Sequence, residues 1–274
     1  MGQRNDSVVV DLEASRRRRT RNRGPDPALA LTLLGGFALE VADEVVDVPA
    51  GAQRLVALLA LRGRTSRSRL AGTLWPETTE HRALASLRTA IWRVNQVADR
   101  LVACTSGTVD LGAGVDVDVR RLVRGALVML RERPTGAVED AQDLLEDGDE
   151  LLPDWEDEWL LAERERLRQM RLHVLETIAA RLSVSGHHGL ALEAALAALR
   201  VDPLRESAHR AVIRIHLAEG NVAEARRAFD QCCRVLVRDV GVEPSAATSG
   251  LLPRAPRSPG QVHSAVRVGD VPVG

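Results

Sequence analysis

The 274-residue sequence has no lysine and no tyrosine, and aromatic residues make up only 2% of it. All 37 basic residues are therefore arginine, which is typical of GC-rich coding, so an arginine at one position is not interpreted as a choice over lysine. Apolar residues still make up 45%, and packed cores must be built from leucine, valine and alanine. This composition favours helices over β-sandwiches, which draw on aromatic side chains.

Cysteine is scarce as well, with Cys104, Cys232 and Cys233 as the three thiols. Adjacent cysteines rarely bridge each other and no CxxC pair is present, so neither a disulfide framework nor a zinc site is expected. The helical pattern around the adjacent pair predicts one core thiol and one peripheral thiol. No apolar run reaches the roughly 18–20 residues of a membrane span, and no signal-peptide pattern follows the basic N-terminus. The sequence therefore predicts a cytoplasmic protein with no membrane partner.

The sequence signatures of enzymes are missing too, since no GxSxG, HExxH or Gly-rich phosphate loop occurs. The acidic residues at 154–158 resemble a glycosidase carboxylate pair, but they stand at the start of a predicted helix, where acids complement the dipole. Four scattered histidines without a carboxylate at ligand spacing are expected on surfaces rather than on a metal. They are His173, His187, His188 and His209. We expect no enzyme activity, no cofactor and no metal.

The net charge of -1 conceals a strong segregation of charge along the chain. Residues 51–100 contain nine arginines and three acids. DNA is a dense line of negative charge, and release of its counterions supplies much of the affinity of basic proteins. Residues 139–165 contain thirteen acids and one arginine, so this segment would repel DNA. Positive charge is therefore concentrated in residues 51–100, whereas the rest of the chain is slightly acidic.

Two domains are predicted, over 26–113 and 114–249, with a disordered segment at each end. Residues 1–25 contain SRRRRTRNRGP, which cannot bury itself. This arm is either a solubilising tail, or the product of a start codon placed too early, or a segment that lies along DNA phosphates. Residues 250–274 are rich in Pro, Gly, Ser and Val without a period, which predicts a disordered tail.

The first domain begins with short strands over 29–48 and continues with three helices. The first helix, AQRLVALLALRG, ends at Gly63, and the second, SRSRLAGTLWP, is capped by Ser66 and stops before Pro76. The third, beginning HRALASLRTAIWRVN, runs to about Ala98. LVAC and TVDL around the tripeptide TSG then predict a β-hairpin. This order is typical of a winged helix of the response-regulator type, with a recognition helix third and a wing hairpin last.

The third helix carries a stripe of polar residues without an acid. At about 100° per residue, Ala83, Leu84, Leu87, Ile91 and Val94 form an apolar side, and the stripe opposite consists of Arg82, Ser86, Thr89 and Arg93. An ordinary solvated face would mix charges of both signs, whereas a helix that enters a DNA groove has this pattern. The arginines suit phosphates or guanine edges, and the small hydroxyl residues suit bases or a thymine methyl.

Other positions of the first domain leave alternatives open. Arg88 lies off the stripe and contacts either phosphate or an internal acid. Arg67 and Arg69 on the second helix face either the DNA backbone or solvent. Trp75 is expected in the core. Trp92 is either half-buried against the hairpin or stacked against a partner domain.

The second domain is almost wholly helical in pattern and contains an internal repeat. Gly186 and Gly220 stand 34 residues apart, and at that offset Ala191 aligns with Ala225, Ala195 with Phe229 and Leu199 with Cys233. A 34-residue helix-turn-helix period is that of tetratricopeptide arrays. Two units are too few for stability, so the preceding helices must complete the stack. The fold class is thus mainly α, a winged helix followed by a tetratricopeptide-like all-α domain.

Three segments of the first domain carry a family likeness: LLGGFALEV, QRLVALLALRGRTSRSRLAGTLWPE and ASLRTAIWRV. Together they resemble the DNA-binding domain of the Streptomyces antibiotic regulatory protein family. Three later segments resemble the bacterial transcriptional activator domain that follows it there: LLPDWEDEWLLAERERLRQMRLHVLE, PLRESAHRAVIRIHLAEGNVAEA and DVGVEPS. The likeness covers roughly residues 29–246.

The resemblance implies an activator that binds direct repeats in double-stranded DNA near promoters and contacts RNA polymerase, nucleoid-associated when bound. A homodimer and an isolated monomer both fit the chain. The family's wing often carries a Gly-Tyr pair, whereas this chain has TSGTVDL, and no P-loop indicates nucleotide control. Two alternatives stay open. One is a protein-interaction adaptor that uses the helical repeats without specific DNA binding, and the other is a regulator that needs a partner protein to bind DNA.

Overall fold

The computed structural model describes residues 29–131 and 150–252. These residues form two compact units, 29–131 with 150–171, and 172–252. The predicted arm over 1–25, the acidic residues 139–149 and the predicted tail from 253 onward lie outside the described residues.

The first unit begins with three strands, followed by three helices and a hairpin. The strands are β1 (Leu29–Thr32), β2 (Ala38–Val41) and β3 (Glu44–Val46). The next elements are α1 (Ala50–Arg62), β4 (Thr65–Ser66), α2 (Arg67–Leu74) and α3 (Glu80–Val97). The hairpin is β5 (Val102–Thr105) with β6 (Thr108–Leu111), and β7 (Val115–Val117) and α4 (Asp118–Arg131) complete the series. The winged-helix order predicted from the sequence is confirmed.

The strands form two small sheets. The first has the order β3-β2-β1-β7, in which β7 pairs parallel to β1 and the other pairs are antiparallel. The second has the order β4-β6-β5 and is antiparallel throughout. In β1 the register sets Leu31 opposite Leu39, and both side chains are buried. The first sheet therefore supplies one wall of the core that α1 and α3 close.

Local signals explain where these elements begin and end. Gly63 ends α1 with a φ of 71°, a conformation that glycine adopts without steric cost. The Ser66 hydroxyl caps α2 by accepting from the backbone N–H of Arg69. Ser106 and Gly107 both have positive φ, which gives the hairpin a turn whose twist matches its strands. Each of these signals was present in the sequence.

The first unit extends well past residue 113. Backbone hydrogen bonds join Leu152 N–H to the Leu33 carbonyl at 2.9 Å and Gly35 N–H to the Glu150 carbonyl at 2.8 Å. The side chains of Leu152 and Leu160 are fully buried in the core of this unit. The sequence placed a domain boundary between residues 113 and 114, and residues 115–131 and 150–171 pack with the first unit, where β7 pairs with β1 and Leu151 forms an isolated bridge with Leu34.

The second unit consists of antiparallel helices. It contains residues 172–184 of α5 (Glu158–Val184), followed by α6 (His188–Val201), α7 (Glu206–Ala218), α8 (Val222–Val240) and α9 (Ala246–Ser249). α7 packs against both α6 and α8. Alanines buried where these helices meet, such as Ala191, Ala198 and Ala208, allow the close approach.

A period of 34 residues is visible in the backbone. α5 and α7 end 34 residues apart, and so do the starts of α6 and α8. The turns repeat as well, since His187 N–H donates to the Leu182 carbonyl and Asn221 N–H to the His216 carbonyl. Gly186 and Gly220 have φ of 80° and 77°. The predicted tetratricopeptide-like architecture is confirmed.

The chain stays packed beyond residue 249, where the sequence placed the end of the helical domain. The Glu206 carboxylate accepts from the hydroxyls of Ser245 and Thr248 and fixes α9 to the start of α7. Leu252 is buried against Ile213. Residues 250–252 of the predicted disordered tail are therefore ordered, because two leucines there cover the end of the helix pair.

The structure places three thiol and imidazole groups of the second unit about which the sequence makes predictions. Burial raises the pKa of Cys232 to about 11, and Cys233 is half-buried, as the core and peripheral pair predicted. His209, which was expected on the surface, is instead buried, and its Nε2 donates to the Pro203 carbonyl oxygen at 2.9 Å. Within residues 29–131 and 150–252, no three His, Cys, Asp or Glu side chains converge as metal ligands. Among the described helices, none combines the length and apolar character that a bilayer span requires.

Candidate nucleic-acid interface

The predicted recognition helix α3 is anchored by one apolar side. Ala83, Leu87 and Val94 are buried in the core of the first unit. Arg82, Thr89 and Arg93 of the predicted stripe are exposed, whereas Ser86 is half-buried at its edge. Three members of the stripe therefore face solvent together, and Ser86 is less accessible than the wheel predicted because it lies closer to the buried side.

Thr89 has a local partner that limits its chemistry. Its hydroxyl donates to the Ala85 carbonyl at 3.2 Å, so the hydrogen-bond donor of the side chain is used within the helix. The methyl group and the oxygen lone pairs remain available. Thr89 is consequently suited to an apolar contact or to accepting a hydrogen bond.

The nine arginines of residues 51–100 fall into two groups. Four form ion pairs at the distances that follow: Arg54 with Asp157 at 3.1 Å, Arg62 with Glu163 at 3.0 Å, Arg64 with Asp110 at 3.6 Å and Arg100 with Asp99 at 3.8 Å. The other five form no ion pair with any residue that the structure describes: Arg67, Arg69, Arg82, Arg88 and Arg93. These five are the arginines that the sequence selected as candidate DNA contacts, and all lie on α2 or α3.

Acids of the second predicted domain, which spans residues 114–249, form two of these four ion pairs. Asp157 and Glu163 neutralise arginines of α1, which belongs to the scaffold of the unit. On α3 itself the first turn carries Glu80, and no acid follows it in the helix. An internal acid as the partner of Arg88, one of the two possibilities left open, is not found among the described residues. Among the nine arginines of residues 51–100, those without a described ion pair therefore all lie on α2 and α3.

The hairpin is held in place against α3 and α2. Asn95 on α3 forms two hydrogen bonds with the backbone of Val102, where β5 begins. The Arg67 N–H at the start of α2 donates to the Gly107 carbonyl in the hairpin turn at 3.1 Å. A Cβ at Gly112 would lie 2.2 Å from the Arg100 carbonyl oxygen, so the strand can approach the preceding loop only with glycine there. Recognition helix, second helix and wing thus form one connected surface.

In the structure, the centre of the exposed side of α3 lies at different residues from those of the predicted stripe. The direction opposite Ala83, Leu87 and Val94 falls on four residues that we name the exposed arc: Ala85, which is half-buried, and Thr89, Trp92 and Gln96, which are exposed. Trp92 is 62% exposed, so of the two alternatives left open for it, half-burial against the hairpin is wrong, and stacking against a partner stays a prediction. Trp75 is half-buried and packs on the core, as predicted. The sequence counted Leu84 with the apolar side, and because Leu84 is only half-buried, the exposed side lies closer to Trp92 and farther from Arg82 than the sequence indicates.

Comparison with known proteins identifies the second half of the chain. Residues 115–253 match the family described as bacterial transcriptional activator domain. The regulatory protein AfsR of Streptomyces coelicolor is 31% identical over 202 residues, which cover 69% of this chain and 20% of that protein. AfsR of Streptomyces griseus is 27% identical over 247 residues, covering 84% and 25%. The chain therefore spans a fifth to a quarter of these relatives.

A solved structure shares the fold. Mycobacterium tuberculosis EmbR, determined in complex with a low affinity phosphopeptide, superposes with a TM-score of 0.65 at 17% identity. The superposition covers 82% of this chain and 64% of EmbR. The order of winged helix and helical repeats is thus an arrangement already observed in a protein of known structure.

Proposed function

The chain belongs to the Streptomyces antibiotic regulatory protein family, whose members carry the bacterial transcriptional activator domain, and on that premise we propose that it is a transcriptional regulator that binds specific DNA sequences. The observation that carries the proposal is the division of the nine arginines. Uncompensated guanidinium groups on α2 and α3 repel one another, and a polyanion that occupies this surface relieves the repulsion and releases counterions.

The residues have separable roles in this proposal. Arg82 and Arg93 lie at one edge of the exposed arc and Arg88 at the other, so they contact the phosphates of the two groove walls. Arg67 and Arg69 on α2 contact a phosphate backbone as well. Thr89 allows close approach to base edges, whereas the predicted contact Ser86 is half-buried beyond Arg82 and Arg93 and lies nearer to a groove wall. The hairpin, fixed by Asn95, contacts the neighbouring backbone as a wing.

The finer activity rests on the family alone. We propose activation through direct repeats near promoters, with RNA polymerase contacted by the helical repeats and two copies of the chain side by side on the repeated sites. Stacked helix pairs present extended surfaces that suit protein partners. The same surfaces serve the alternative function of an adaptor without specific DNA binding.

A mobility-shift and footprinting experiment tests DNA binding. The full chain is incubated with genomic fragments that include its own upstream region, and its affinity is compared with that of the Arg82→Ala/Arg93→Ala variant. We expect a footprint for the native chain and an affinity loss of at least tenfold for the variant. Arg214→Ala/Arg226→Ala is the matched control, because it removes the same charge from exposed helix positions of the second unit.

Each outcome decides between the functions. A footprint that the control retains and the α3 variant loses supports the proposal. If all three proteins bind every fragment equally and weakly with one salt dependence, sequence-specific binding is refuted. A protein partner captured equally by the native chain and the α3 variant, with no footprint on any fragment, supports the adaptor instead.

A further inference from the structure

Trp92 is the large apolar side chain at the centre of the exposed arc. Its indole is 62% exposed and stands between two exposed arginines, Arg88 one turn earlier and Arg93 directly after it. Burying a tryptophan removes 150–250 Å² of surface from water, so leaving it exposed forgoes a large stabilisation. An indole beside guanidinium groups without ion pairs suits a ligand that carries negative charge and also presents apolar groups. A nucleic-acid groove does both, because phosphates line its walls and base edges form its floor.

The other tryptophans show that this exposure is particular to the position. Trp159 lies in the core of the first unit, and Trp75 and Trp155 pack against it. Trp155 also stacks on Phe37 with ring centroids 6.1 Å apart. In a chain with four tryptophans and no tyrosine, the exposed indole is therefore not the by-product of an aromatic-rich composition.

The geometry of a helix in a groove distinguishes the floor from the walls. An α-helix with its side chains is about 10–12 Å across and the major groove of B-DNA is about 12 Å wide, so the helix fills the groove. Side chains opposite the protein core point to the base edges, and those at either side meet the phosphate walls. The exposed arc thus faces the base pairs, while Arg82 and Arg93 on one side and Arg88 on the other face the walls.

The arc is chemically selective. Ala85 and Thr89 present methyl groups, and the Thr89 hydroxyl donates within the helix. Trp92 adds a wide apolar surface, and Gln96 adds a carboxamide, the group that pairs with adenine in the major groove. The apolar feature of the major groove is the 5-methyl group of thymine. The arc lacks an arginine, which is the common reader of guanine.

From this placement we infer that Trp92 is a specificity-determining residue that reads thymine by packing its indole against the 5-methyl group in the major groove. The inference rests on the proposed function and adds the base that the site selects. The arginines that contact the phosphates of the groove walls supply affinity without sequence preference. The indole of Trp92 supplies the preference for A·T pairs at the centre of each half-site.

Selection from a randomised pool provides the duplex that tests this inference. The full chain selects its preferred duplex, which is then synthesised again with deoxyuridine in place of thymine at one position at a time. This change removes only the methyl group. We expect one position at which deoxyuridine weakens binding by the native chain about fourfold, which is the affinity ratio expected for burying one methyl group. In the Trp92→Ala variant, the thymine and deoxyuridine duplexes should bind with equal affinity.

Controls keep the two proposals separable. Arg88→Ala weakens binding to the thymine and deoxyuridine duplexes alike and keeps the fourfold ratio, since it removes a wall contact. If Trp92→Ala leaves the ratio unchanged while the native footprint persists, thymine reading is overturned and DNA binding stands. If the ratio is unchanged and Trp92→Ala alters the oligomeric state by sedimentation, the indole belongs to a contact between copies. If no preferred duplex emerges from the pool, both proposals fail.

Discussion

The carboxamide of Asn95 holds the backbone of Val102 through both of its polar atoms. Nδ2 donates to the Val102 carbonyl at 3.0 Å, and Oδ1 accepts from the Val102 N–H at 2.9 Å. One side chain of α3 therefore replaces a backbone partner for the first residue of β5. Because the same helix carries the exposed arc, this pair fixes the wing relative to the surface proposed to read DNA.

We expect Asn95→Asp to lower the free energy of unfolding by about 1–3 kcal/mol, because the donor to the Val102 carbonyl is lost and a carboxylate faces that oxygen. Urea denaturation followed by circular dichroism measures the change. Gln96→Glu is the matched control, since the neighbouring amide is exposed and the same chemical change there removes no described hydrogen bond. Equal stability of the two variants would contradict the structural role of Asn95.

The arginines without ion pairs predict a salt dependence. Each phosphate contact contributes about 0.9 to the slope of log affinity against log salt concentration on B-DNA. We expect Arg69→Ala and Arg88→Ala each to reduce that slope by about one, measured by fluorescence anisotropy between low and physiological salt. Arg214→Ala should leave the slope unchanged. A slope that neither α2 nor α3 substitution alters would place these two guanidinium groups in solvent rather than on phosphate.

Neighbouring leucines of α5 test the extent of the first unit. Leu160 is fully buried in the core that the winged helix forms, whereas Leu161 is 59% exposed. We expect Leu160→Ala to lower the free energy of unfolding by about 2–5 kcal/mol and to reduce hydrogen-exchange protection within residues 29–117. Leu161→Ala should change stability by less than about 0.5 kcal/mol. Unchanged protection of residues 29–117 in the Leu160→Ala protein would show that the winged helix does not depend on α5.

An ion pair in the second unit predicts a dependence on acid. Burial raises the pKa of Glu176, but hydrogen bonds from Arg205 and Ser207 outweigh it, and the pKa lies below its ordinary value of 4.5. Because the folded pKa is depressed, the stabilisation is present above pH 4.5 and is lost as the pH falls through the folded pKa. We expect Glu176→Gln to cost about 1–3 kcal/mol at pH 7 and to cost less below pH 4.

Denaturation curves at several pH values measure that effect. Glu193→Gln on α6 is the control, because Glu193 is exposed and no described side chain pairs with it. Its stability should follow that of the native chain at every pH. A Glu176→Gln deficit that stays constant from pH 7 to pH 3.5 would show that the carboxylate charge is not what stabilises the pair.

Sequence reasoning succeeded where a local signal decides the structure. Gly63, the Ser66 cap and the 34-residue spacing of Gly186 and Gly220 act within a few residues, and the elements follow from them. The five arginines without a described ion pair coincide with the predicted DNA contacts because α2 and α3 contain few acids, and their contact with DNA stays a prediction. These predictions depended on spacing and charge, which a sequence displays directly.

Sequence reasoning failed where the partner is distant. The bridge between Leu34 and Leu151 has no local signature, so the packing of residues 150–160 against the first unit was not predicted. The alternatives for Trp92 also depended on what packs above α3, which is a tertiary property. Side chains that span two elements, such as Arg120 bonding the Leu59 and Ala60 carbonyls at the end of α1, were not predicted for the same reason.

The bridge from Leu34 to Leu151 has a consequence for biosynthesis. The ribosome must add more than a hundred residues after Leu34 before its bridge partner Leu151 exists. At about 5–20 residues per second, that interval lasts at least several seconds, during which the leucines that pack against Leu152 and Leu160 stay unburied. A chaperone that shelters emerging apolar segments therefore has a defined window on this polypeptide, and it closes when residues 150–160 leave the exit tunnel.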